Sequence, residues 1–150
     1  MEVISEISHY STHNIFLGRA VAVNAKVQHG QNILITGIGG GVAIIAMQIC
    51  LAKGANVYVT SGSPDKIQRA ISLGAKGGAN YKDSPLIIHD NSFPCLTKFS
   101  SLQENWPAQI GALLAKGTML DAIIDSGGGD IMGQAGKLLK QGGRVVCYGM

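Results

Sequence analysis

"ILITGIGGGVAII", Ile33 to Ile45, passes from an apolar run through four glycines in five positions and back to apolar residues. Gly37, Gly39, Gly40 and Gly41 each cost about 0.5–1 kcal/mol relative to alanine inside a regular element. Such a concentration therefore marks a junction rather than the interior of a strand or helix. "NILITG", Asn32 to Gly37, is short, apolar and glycine-ended, as suits a strand buried on both faces. From Gly40 to Lys53 the spacing becomes helical and nearly apolar all round, so that helix is expected to be sandwiched. "NVYVT", Asn56 to Thr60, is the next strand, which closes a strand–helix–strand unit of about 30 residues, the length a dinucleotide-binding fold uses.

Read outward, the alternation continues. Ser63 is placed as a helix N-cap and Pro64 at the first helical position, opening a helix to about Leu73. A strand is expected over Gly77–Tyr81, a helix over Pro107–Lys116 with Trp106 anchoring its start, and a strand over Leu120–Asp125. A helix near Ile131–Lys140 then leads to a last strand in "GRVVCYG". Upstream, Phe16–Val27 has helical spacing and is broken by "QHGQ". Strand alternating with helix predicts an α/β fold, a doubly wound parallel sheet of Rossmann type. Counting the expected strands one to five, the order is 3-2-1-4-5, with the sixth strand of such folds missing. Residues 1–28 read as an N-terminal segment and linker helix, and 29–150 as the dinucleotide-binding domain. Lys82 to Asn105 breaks the rhythm with two prolines and no clean period. It is an irregular insertion, a functional excursion or a flexible one, and is expected to be the most mobile internal segment.

Composition narrows the classes. The 150 residues are 46% hydrophobic and 14% charged, which suits one globular domain. No apolar run reaches the roughly 18–20 residues that span a bilayer, and the start "MEVISEISHYSTHN" lacks the basic region of a signal peptide. No membrane association is expected. Three widely spaced cysteines support neither a disulfide framework nor a zinc site. A reducing, cytoplasmic setting follows as the default. The net charge of +3, without a basic cluster, argues against nucleic acid as the partner. His9, His13, His29 and His89 lack metal-ligand spacing and read as surface residues. No G-x-S-x-G elbow and no Gly-Lys-Ser/Thr loop occurs, so a serine hydrolase and a P-loop are not supported.

At the glycine junction the chemistry is that of phosphate binding. Glycines permit the tight turn and let a pyrophosphate reach the backbone, while the helix N-terminus offers unpaired N–H groups and partial positive charge. Gly37, Gly40 and Ala43 form a G-x-x-G-x-x-A spacing, and Gly37-Ile38-Gly39 a G-x-G. Close helix–sheet packing alone would need fewer glycines. At the end of the second strand an NAD site usually carries an acid for the ribose hydroxyls. "VTSGSPDK" instead has Thr60, Ser61, Gly62 and Ser63, with Lys66 one turn into the helix. Hydroxyls and a cation suit the 2′-phosphate of NADP(H).

The motifs "VQHGQNILITGIGGGVAIIAMQICLAKGANVYVT", "LGAKGGANYKD" and "LDAIIDSGGGDIMGQAGKLLKQGGRVVCYGM" together resemble the medium-chain dehydrogenase/reductase superfamily. The nearest resemblance is to its quinone-oxidoreductase-like and zinc-type alcohol-dehydrogenase-like members. It extends over about Val27 to Met150, except residues 82–105. Ala43 departs from it, standing where many members have a third glycine; it should tighten the helix–strand contact slightly without abolishing binding. The resemblance implies cofactor contacts from Gly37, Gly39, Gly40, Gly41, Val42, Ser61 and Ser63. It adds Lys66 and Tyr81 at the 2′-phosphate, and Ser126 and Gly127 near the nicotinamide-side ribose. Asp125 reads either as part of that crevice or as a helix cap. The family's GroES-like catalytic domain, which carries substrate contacts and, in zinc members, the metal ligands, has no counterpart in these residues. They therefore read as a truncated cofactor domain with no catalytic or metal-ligating residue of its own, inactive by itself. Its parent would be an NADPH-dependent reductase of quinones, enones or similar carbonyls. The alternative is a non-catalytic NADPH sensor or protein-interaction module. A homo-oligomer is left open.

Overall fold

The structure, a computed structural model, describes residues 18–82, 87–88, 106–125 and 131–148. Six strands form one sheet: β1 (Asn32–Ile35), β2 (Asn56–Ser61), β3 (Gly77–Asn80), β4 (Ile87–Ile88), β5 (Leu120–Asp125) and β6 (Leu139–Cys147). Their order is β4-β3-β2-β1-β5-β6. All neighbours pair in parallel except β3 and the two-residue β4, which are antiparallel. The five parallel strands thus stand in the expected 3-2-1-4-5 order. Among the described residues, four α-helices lie between them: α1 (Gly41–Ala52), α2 (Pro64–Ser72), α3 (Trp106–Leu113) and α4 (Ile131–Ala135).

Strand periodicity divides the core between the two faces of the sheet. Ile33, Ile35, Val57, Val59, Ala122 and Ile124 pack on one face with Ala43, Ala46, Met47 and Cys50 of α1 and Ile67, Ala70 and Ile71 of α2. Leu34, Tyr58, Ile123 and Ala79 pack on the other with Trp106, Ile110 and Leu114. Both faces are therefore covered. This is why the central strands are apolar without alternation. Val21, Ala25 and Val27, from the chain before β1, join the first of these clusters.

Four elements differ from expectation. The upstream helix ends in a π-helical turn, Ala20–Asn24, rather than continuing to Val27. Lys26 then takes φ 48°, and Val27 N–H bonds back to Val21 O at 3.3 Å. α4 stops at Ala135 rather than near Lys140, because Leu138 and Leu139 turn back onto Ala135 O and Gly136 O and enter β6. Between the pairs Leu120↔Leu139 and Ala122↔Arg144, β6 carries extra residues that bulge out around Gly142, φ 78°. Finally, Ser63 caps α2 by position but with no side-chain hydrogen bond, Pro64 occupying the first turn as expected. The expectation of a mobile insertion falls, apart from Lys82 and Ile87–Ile88, on residues outside those described.

One glycine in β3 is required by close approach. A Cβ on Gly78 would lie 2.6 Å from Ile67 Cγ2, 2.8 Å from Val59 Cγ2 and 2.9 Å from the Val59 carbonyl oxygen. Gly78→Ala is therefore expected to destabilise the fold by about 1–3 kcal/mol, because backbone cannot yield as a side-chain tip does. Urea unfolding measures it, and an unchanged midpoint would contradict this packing.

Cys50 is fully buried, and burial pushes its thiol up to about 12, the nearby Lys53 charge lowering it by less. The folded chain holds this proton after the unfolded chain has lost it. Stability from the group is therefore full below pH about 9 and declines from there toward about 12. Denaturant titrations across that range are expected to show a fall that Cys50→Ala lessens.

Candidate functional site

The end of β1 is held on both sides. Thr36 N–H donates to Ile124 O at 3.0 Å, and the Thr36 hydroxyl to Asp125 Oδ1. On the β2 side, Ile38 N–H donates to Thr60 O at 2.8 Å and Gly37 N–H to Thr60 Oγ1 at 3.3 Å. The chain then turns through Gly37, φ 67°, and Gly39, φ 147°, values that exclude most side chains, and enters α1 with Gly40 as the N-cap. Gly40 and Gly41 face open space, with no atom within 4 Å of where a Cβ would stand. The first turn of α1 carries no acid to oppose an anion at its N–H groups.

Opposite this turn runs the end of β2. Ser61 is buried; its Oγ accepts from Ser63 N–H at 3.2 Å, leaving its own proton to donate. Tyr81 N–H bonds to Ser61 O at 3.2 Å and extends the β3–β2 pairing by one step. Between these walls lies a cleft of about 320 Å³, lined by Gly37, Ile38, Gly39, Gly40, Ser61, Gly62, Ser63, Lys66, Tyr81 and Lys82. Among the described residues no acidic side chain lines it, and Asp65 in the first turn of α2 stands outside. The Lys66 arm crosses the glycine turn: a Cβ on Gly39 would be 2.5 Å from Lys66 Cδ and 2.9 Å from Nζ. A second cleft of about 280 Å³, with Lys26, Asp121, Lys140 and Arg144 among its lining residues, contains none of the expected site residues.

Seven of the eleven expected site residues therefore meet in one cleft: Gly37, Gly39, Gly40, Ser61, Ser63, Lys66 and Tyr81. Gly41 and Val42 begin α1 without lining it, and Val42 packs against the core instead. Ser126 and Gly127 lie outside the described residues. Asp125 is buried at the end of β5, where it accepts from Thr36 while its backbone oxygen accepts from Tyr148 N–H at 2.9 Å. Ile38, Gly62 and Lys82 line the cleft although the motif reading did not select them. No local spacing marks Lys82, whose place in the cleft depends on β3 ending beside β2. Of the four histidines only His29 is described; it is exposed and lies against Gly54. Among the described residues, no group of three or more His, Cys, Asp and Glu side chains is arranged to hold a metal ion. No described helix is long and apolar enough to cross a membrane.

A doubly wound sheet with a glycine turn between its first strand and helix defines a dinucleotide-binding class of domain. Residues 41–150 match the family of zinc-binding dehydrogenases. The zinc-type alcohol dehydrogenase-like protein YogA of Leptosphaeria maculans is 40% identical over 131 residues, which is 87% of this chain and 32% of that protein. The mouse quinone oxidoreductase is 28% identical over 131 residues, 87% of this chain and 34% of that one. A solved NAD-dependent alcohol dehydrogenase superposes with a TM-score of 0.67 at 28% identity, over 87% of this chain and 32% of that one. The chain belongs to the zinc-binding dehydrogenase family, within the medium-chain dehydrogenase/reductase superfamily. It spans about a third of the length of these relatives.

Gly40→Val tests the openness of the turn. Gly40 has φ −87° and ψ 152°, which valine adopts readily, and its Cβ position is empty. The variant is expected to keep its fold, losing about 1 kcal/mol or less at this cap position. Thermal unfolding followed by circular dichroism checks it; collapse of the fold would show that the glycine serves packing.

Proposed function

We propose that this chain is the NADP(H)-binding domain of an oxidoreductase that reduces a quinone, an enone or a similar carbonyl compound. The observation that carries the cofactor assignment is the cleft between the glycine turn and the end of β2, whose described lining holds no acid and across which Lys66 reaches. An adenine dinucleotide fits these residues. Its pyrophosphate would occupy the open space before Gly40 and Gly41, against the N-terminus of α1. The adenosine ribose would lie over Ser61–Ser63, where a carboxylate would repel a 2′-phosphate and hydroxyl donors with an ammonium accept one. Gly37, Gly39, Gly40, Gly41, Val42, Ser61, Ser63, Lys66, Tyr81, Ser126 and Gly127 are the residues proposed to hold the cofactor.

When bound, NADPH supplies a hydride that, with a proton, reduces the acceptor. The chain's own residues bind and orient. Thr36, Thr60 and Asp125 fix the turn, and Lys66 supplies charge at the rim. The substrate class rests on the kinship with the mouse quinone oxidoreductase and the alcohol-dehydrogenase-like relatives. A cytoplasmic protein is the accompanying proposal.

Binding of NADPH is expected to be tighter than that of NADH. Lys66→Ala should cost up to about tenfold in NADPH affinity and leave NADH almost unchanged, and the preference should shrink as salt rises. Calorimetric titration of both nucleotides at two ionic strengths measures this. Equal affinities, or a loss shared by both, would move the assignment to NAD or to general phosphate steering. Gly40→Val, folded as argued above, is expected to bind neither nucleotide, because its side chain fills the space proposed for the pyrophosphate.

A further inference from the structure

A dianionic phosphate monoester is not matched by one lysine, whose ammonium is a compact single charge. Lys66 reaches the cleft from the α2 side, over Gly39. The opposite wall holds a second ammonium. A Cβ on Gly62 would lie 2.9 Å from Lys82 Cδ, 3.0 Å from Lys82 Cε and 3.1 Å from the Tyr81 hydroxyl oxygen. The Lys82 stem therefore crosses the bare backbone of Gly62, with the phenol beside it, and the lysine lines the cleft. Its backbone is held in place, since Lys82 N–H donates to Asn80 Oδ1 at 2.8 Å and Asn80 is buried at the end of β3. Ser61-Gly62-Ser63 is thus flanked by two lysines that come from different elements.

We propose that Lys82 is a second specificity-determining cation for a 2′-phosphorylated adenosine dinucleotide, and that Gly62 is the gap that admits its side chain. This rests on the NADP(H) reading above. Lys66 and Lys82 approach the phosphate from two sides, while Ser61, Ser63 and Tyr81 donate hydrogen bonds between them. Gly62 has a backbone conformation open to other residues, so any side chain there acts by displacing Lys82 and Tyr81 rather than by straining the turn.

The test uses this 150-residue chain, titrated calorimetrically with NADPH, NADH, 2′,5′-ADP and 5′-AMP at low and high salt. Lys82→Ala is expected to weaken NADPH and 2′,5′-ADP about three- to tenfold at low salt and to leave NADH and 5′-AMP unchanged. Lys82→Arg should restore most of the loss, and Gly62→Ala should reproduce part of it. The salt dependence of NADPH binding should be shallower in Lys82→Ala, which a purely structural role would not produce. If the parent chain prefers NADPH and Lys82→Ala keeps that preference in full, the role of Lys82 is overturned while the NADP(H) reading stands. A Lys82→Ala loss shared by NADH likewise overturns it. If the parent binds NADPH and NADH equally, the 2′-phosphate reading fails and the role of Lys82 with it.

Discussion

The arrangement depends on how β1 ends. Its last backbone and side-chain bonds do not stop with the strand: Thr36 is held to Ile124 and Asp125 on one side, and Gly37 and Ile38 to Thr60 on the other. A turn this rich in glycine has little stiffness of its own. Anchored to two neighbouring strands, it presents the start of α1 at one fixed place above the sheet. Asp125 then has a physical role distinct from helix capping, as it ties the central strand to the next one within a buried environment.

From that point the cleft follows from topology. Parallel strands place all their carboxyl ends along one edge, so the glycine turn after β1, the serines at the end of β2 and the tyrosine after β3 must be neighbours. The side chains that give the cleft its charge come from elements after each strand. Lys66 lies one turn into α2, and Lys82 two residues past β3. Charge selectivity can therefore vary without touching the buried strands, whose residues are fixed by packing on both faces.

Much of this was legible in the sequence, and for identifiable reasons. A short apolar run ending in glycine located β1, because a strand covered on both faces leaves no room for polar alternation, and the alternation of strand-like with helix-like segments located β2 and β5. The strand order followed from right-handed crossovers. The end of α4 and the start of β6 were misjudged because "GKLLKQGG" keeps helical spacing, whereas Leu139 is taken by pairing with Leu120 and the excess chain is released in a bulge at Gly142. Within the cleft, the glycines and Lys66 announced themselves by position in the strand–helix–strand unit. Gly62 and Lys82 did not, since their proximity depends on a bare backbone beneath a lysine stem, a contact across two strands that no local spacing encodes.

The same junction divides the chain in time as well as in space. The glycine turn, the β2 end and both cleft lysines lie within one continuous stretch, and β1 meets β2 across a separation of only 24 residues. The bond from Thr36 to Asp125 spans 89 residues. Closing a longer loop costs more chain entropy, and parallel pairing at long range is intrinsically slow. The nucleotide-side half can accordingly assemble from near contacts first, with β5 arriving later to lock the base of a turn whose walls are already standing.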